Sequence, residues 1–253
     1  MPAATLARLV VLEARRGGLP WLALAAALAA ALLAAFLSQV ALTESREVQL
    51  SVVAPLLRAC TVLLVVLHVA SSTARQMSDR TLELTMALPL SRGAQYLGRL
   101  GGHAACAALI AVALALPLLA LAAPGRLALW TLSLALEGAL MAAAALFFAT
   151  SLAQLVPAIA TSVGFYLLAR IMAAVQWLVD TDLPAPSLTA QVAEVTVNGV
   201  ALLLPRLDAV TRTDWLLYGA PSAGAFAAAL SGVLVYGLLL AAAGLFDFYR
   251  KEL

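Results

Sequence analysis

Six successive stretches of this chain, each about twenty residues or longer, are almost wholly apolar. Each is long enough to cross a hydrocarbon layer about 30 Å thick. The fold class that follows is all-α and polytopic, with six transmembrane helices and lipid as the main solvent. Composition closes the soluble alternative. Of 253 residues, 64% are hydrophobic and 11% charged, far more apolar surface than a soluble domain can hide.

The pattern predicts one transmembrane domain over residues 1–253. Residues 1–17 hold a short amphipathic surface helix, Thr5 to Arg16, with Arg8 and Arg15 on one face and Leu6, Ala7 and Val10 on another. Spans are expected from Gly18 to Leu42, Val52 to Ala74, Leu100 to Ala122, Leu127 to Leu152, Val156 to the Asp180–Asp182 cluster, and Pro221 to Leu245. Phe246 to Leu253 then form a tail. The first run exceeds the core of a cleaved signal peptide and follows a polar segment, so it is expected to be retained. Residues 180–220 are long for a turn. Leu188, Val192, Val195, Gly199 and Leu202 recur at helical spacing up to Pro205, and Trp215 and Tyr218 suit an interfacial aromatic belt.

Basic residues orient the spans. With both termini in the cytoplasm, nine fall inside (Arg8, Arg15, Arg16, Arg75, Arg80, Arg92, Arg99, Arg250 and Lys251). Five fall outside (Arg46, Arg58, Arg126, Arg206 and Arg212). The net charge of +2 and the absence of a basic stripe argue against nucleic acid as a partner. Cys60 and Cys106 are the only cysteines and fall near opposite ends of two spans, so no disulfide between them is expected.

The connection at 75–99 carries the most information. Ser78 or Asp79 can cap a helix, and Pro89 cannot continue one, which predicts about ten helical residues, roughly 15 Å long. A short helix of this kind is either a solvated interfacial segment or a rigid peg that fits a groove on another protein. The run from Arg80 through Thr81, Leu82, Glu83, Leu84, Thr85, Met86, Ala87, Leu88, Pro89, Leu90 and Ser91 to Arg92 and Gly93, followed by Tyr96-Leu97-Gly98-Arg99, resembles the signature of the ATP-binding-cassette type-2 permeases. It departs in having Arg80 where members often carry a glycine before the threonine.

That resemblance implies a cytoplasmic coupling helix between spans two and three. Asp79, Arg80, Thr81, Leu82, Glu83, Met86 and Leu88 would contact a separate ATPase subunit. It further implies an exporter subunit of a bacterial inner membrane, working as a homodimer. The chain itself is not expected to be an enzyme. A phosphate-binding loop needs a lysine after its glycines, and the only lysine is Lys251. ATP and magnesium would be bound by the partner, and no cofactor is expected here.

Two intramembrane constellations stand out. Glu137 and Arg170 each lie about ten residues from the outer ends of spans four and five, so adjacent antiparallel helices can pair them. They read either as an ion pair fixing helix packing or as part of a substrate path. His68, His103 and Cys106 fall near the same ends of spans two and three and are chemically suited to zinc or copper, yet ordinary polar packing explains them as well, and no metal site is assigned. Other function classes compatible with the spans are a membrane scaffold without transport and an intramembrane enzyme; the latter lacks HExxH, GxSxG and paired carboxylates.

Overall fold

The computed structural model describes residues 2–40, 45–79, 91–182 and 188–250. They form nine α-helices: α1 (Pro2–Arg16), α2 (Leu19–Val40), α3 (Ser45–Ser78), α4 (Arg92–Ala115), α5 (Pro124–Leu152), α6 (Leu155–Asp182), α7 (Leu188–Leu202), α8 (Asp214–Leu217) and α9 (Ala223–Arg250). Six of them, α2, α3, α4, α5, α6 and α9, are long and apolar enough to cross a membrane. The protein is an all-α integral membrane protein. Helix α1 and the end of α9 both lie against the first half of α4; that side is called here the terminal face, and the opposite side is the far face.

Local chemistry explains the breaks. Ser91 caps α4 by accepting from the Ala94 N–H, and Pro117 ends its α-helical hydrogen bonding, so the chain tightens into a 3-10 helix over Leu116–Ala120. Pro124 opens α5 at a position where its missing N–H costs nothing. Ala153, with φ 53°, closes α5 in the left-handed conformation, and only Ala153 and Gln154 separate it from α6.

Helix α5 is the centre of the bundle and packs against α3, α4, α6 and α9. Of its most apolar window, 67% is buried, against 6% for α9 and 17% for α2. The peripheral helices therefore show their apolar faces outward, as lipid-facing segments do. The core of α5 is built from small side chains, Ala142 to Ala145 among them, which lets neighbouring backbones come close where lipid offers no hydrophobic squeeze.

Several boundaries differ from the sequence reading. Helix α3 runs four residues past Ala74 and α4 begins at Arg92, so much of the polar 75–99 stretch is helix extending beyond the apolar run. Ser78 belongs to α3, its hydroxyl donating back to the Arg75 carbonyl; the helix it was expected to cap lies outside the described residues. Helix α9 continues to Arg250, so Phe246 to Arg250 is helix and not tail. Trp215 is buried and meets Phe226 edge-on at 5.6 Å, so it is a packing residue; Tyr218 is exposed as a belt residue would be.

Helix α1 also departs from a helix that simply lies on a surface. Val10 and Ala14 are buried, and α1 packs along α4. The approach is close enough to need Gly102: a Cβ there would sit 2.6 Å from the Val10 Cβ and 2.9 Å from the Ala7 carbonyl oxygen.

Candidate functional site

The predicted coupling helix falls almost wholly outside the described residues. Asp79 is seen, in the turn that closes α3, its N–H donating to the Arg75 carbonyl at 2.9 Å. Arg80, Thr81, Leu82, Glu83, Met86 and Leu88 lie outside them. The flanks are described in detail and show what this connection is attached to.

On the α4 flank, Arg92 Nη1 donates to the Tyr249 carbonyl at 3.1 Å, and the Gly93 N–H donates to the Tyr249 hydroxyl at 3.2 Å. One turn on, the Tyr96 hydroxyl end sits against Gly244 of α9, where a Cβ would overlap the phenol oxygen, and its ring meets Phe248 at 5.8 Å. Nearby, the Ser151 hydroxyl at the end of α5 donates to Asp247 at 2.8 Å. On the α3 flank, Ser72 and Gln76 donate to the two carboxylate oxygens of Glu13 on α1, at 2.9 and 3.2 Å. Each flank is thus bonded to a helix remote in sequence.

Toward the far face, a buried polar cluster gathers side chains from three spans around the segment between α7 and α8. Glu137 of α5 is fully buried, with Arg170 of α6 3.7 Å away. The spacing argument anticipated this pair. Arg170 does more than pair with Glu137: it donates to the main-chain carbonyls of Leu207 and Val210, the latter at 2.9 Å. Arg58 of α3 donates to the Thr211 carbonyl at 3.1 Å, and the Ser133 hydroxyl of α5 donates to the Thr211 hydroxyl at 3.2 Å. Tyr166 of α6 is buried beside them. Arg58, counted above among the outer basic residues, is in fact part of the bundle interior.

Leu207, Val210 and Thr211 are themselves buried, so this segment is inserted between α3, α5 and α6. Thr211 has φ 50°. A β-branched residue there is strained by about 1–3 kcal/mol and persists only where its surroundings impose it. The surroundings here are two arginines and a serine. The cluster holds two guanidinium groups and one carboxylate, and neither oxygen of Glu137 accepts a hydrogen bond from any described residue. Arg58, Ser133, Tyr166 and Thr211 were not singled out from the sequence. An arginine within an apolar run was the available signal for Arg58.

His68 and His103 do meet, ring centroids 5.4 Å apart and edge-on. Cys106 faces elsewhere, into a groove shared with α2. Among the described residues no three His, Cys, Asp or Glu side chains converge as a metal site would require. Comparison of the chain with family models and with curated proteins gives no match.

Proposed function

We propose that this chain is the membrane-spanning permease subunit of an ATP-binding-cassette exporter, working as a homodimer by alternating access, with ATP hydrolysis performed by separate subunits docked on the terminal face. The reading puts that face in the cytoplasm of a bacterial inner membrane. It is carried by one combination: the permease-like run Arg80 to Arg99, held between flanks that are bonded to distant helices. A push on the connection reaches α3 and α1 through Ser72, Gln76 and Glu13, and reaches α4, α9 and α5 through Arg92, Tyr249, Asp247 and Ser151.

At the other end, the inserted 207–211 segment closes the path toward the outside. Opening requires Arg58 and Arg170 to release its carbonyls, and the strain at Thr211 favours that release once it begins. Lys251 being the sole lysine, the nucleotide and its magnesium are left to the partner.

The test is co-purification of the full chain with its ATP-binding subunit, followed by ATP hydrolysis in liposomes. Leu82→Ala/Glu83→Ala should lose both the bound subunit and the stimulated hydrolysis. Full retention of both in this variant overturns the docking reading, and a subunit that stays bound but is never stimulated by the unmodified chain indicates a scaffold instead.

A further inference from the structure

A large apolar groove on the outside of the bundle, the one that Cys106 lines, lies apart from the polar contacts above. It runs between α1, α2 and α4 with a volume of about 650 Å³, walled by Ala23, Ala27 and Ala31 on one side and by Leu109 and Ala113 on the other. Gly18, with φ +82°, makes the sharp turn between α1 and α2, so the last turn of α1 stands at the groove's mouth. Arg15 is the one charged residue in the lining, and Arg16 follows it. Both are exposed, and neither has an acidic or carbonyl partner among the described residues. Glu13, the nearest acid in sequence, is turned toward Ser72 and Gln76 on α3.

From Leu19 to Ala31 the groove follows α2 for about 18 Å at 1.5 Å per residue. One leaflet of a bilayer has about 15 Å of hydrocarbon. The slot is therefore one leaflet deep, apolar along its length, with two exposed arginines at the headgroup level. Two copies of this chain meeting here about a two-fold axis would bring like charges together, which disfavours a second copy as the occupant. Basic residues where a groove between spans meets the surface are suited to acidic headgroups.

We infer that this groove binds an anionic phospholipid, one acyl chain lying between α2 and α4 and the phosphate at Arg15 and Arg16. The inference rests on the membrane fold alone and stands apart from the transporter reading. Its consequence is that α1, which is bonded to α3 through Glu13, is also held by a lipid.

The experiment is native mass spectrometry of the full chain in detergent, titrated with dioleoyl-phosphatidylglycerol or with dioleoyl-phosphatidylcholine. The glycerol lipid should be retained in preference. Arg15→Ala/Arg16→Ala should weaken it about thirtyfold, from roughly 1 kcal/mol per cation, while Arg15→Lys/Arg16→Lys keeps it. Ala31→Trp, at an exposed position, should fill the deep end and reduce retention without touching the cations. Equal retention of the two lipids by the unmodified chain overturns the inference, as does undiminished preference in the double alanine variant. Unchanged binding in a folded Ala31→Trp protein overturns the groove as the place where the chain lies.

Discussion

At the far face the donors are mostly arginines and the acceptors mostly main-chain carbonyls; at the terminal face the acceptors are mostly side chains. Arg46 donates to Leu121, Arg58 to Thr211, Arg126 to Leu216 and Leu217, and Arg170 to Leu207 and Val210. The terminal face has one bond of that kind, Arg92 to the Tyr249 carbonyl, and is otherwise joined by Glu13, Asp247 and the Tyr249 hydroxyl, which accept from hydroxyls, an amide and one backbone N–H. Hydrogen bonds to or from a charged group contribute about 1.5–3 kcal/mol at either face, but at the far face Leu207, Val210, Thr211 and Glu137 are all fully buried. Bonds that are buried as well as charged are the costliest to break, so the far face is the stiffer end. The terminal face can shift by small steps at lower cost, which suits an end that receives a push.

The sharpest way to break this contrast is Glu137→Ala. It leaves Arg170 without its counter-charge in the bundle interior, and stability should fall by about 3–5 kcal/mol in denaturant unfolding of the detergent-solubilised protein. The double variant with Arg170→Ala should cost less than the sum of the two single changes; strict additivity would mean that the 3.7 Å pair is not coupled. Arg58→Ala should cost about 2 kcal/mol in the same assay, because it frees the Thr211 carbonyl inside the bundle. An effect as small as that of a surface arginine would remove the stiff far face from the comparison.

Effects at the terminal face should be smaller. Gly102→Ala drives a methyl into Val10 and the Ala7 carbonyl, which should cost about 1.5 kcal/mol and loosen α1, read as faster limited proteolysis near Gly17 and Gly18. Tyr249→Phe removes a single neutral acceptor at an exposed site, and about 0.5 kcal/mol is expected. If Tyr249→Phe destabilises as much as Arg58→Ala, the two faces are equally stiff and the contrast fails.

The Glu137–Arg170 pair was legible in the chain because two charges in adjacent apolar runs at matching depth have few other partners. The rest of that cluster was not. Arg58 and Thr211 are 153 residues apart, and the acceptor is a main-chain carbonyl that any residue type would supply. Nothing in the identity of Leu207 or Val210 marks them as acceptors for an arginine. Trp215 misled for a related reason: an aromatic near a span end fits an interface on composition, and only its contact with Phe226 and its burial make it core.

The terminal-face contacts divide the same way. An amphipathic α1 could be read from the placement of Arg8 and Val10. Its docking on α4 depends on Gly102, one of 15 glycines, lying opposite Val10. The absence of a side chain becomes informative only once another helix is known to pass over it.

Hydrophobic run length by itself determined the class and the count of six helices long and apolar enough to cross a membrane. Each span satisfies its own backbone, so these properties are local. Tertiary structure alone decided which helix is central, that α1 is clamped to α4, and that residues 207–211 are drawn into the bundle beneath two arginines. Those outcomes depend on close approach between remote segments and on main-chain carbonyls, and neither leaves a periodic trace along the chain.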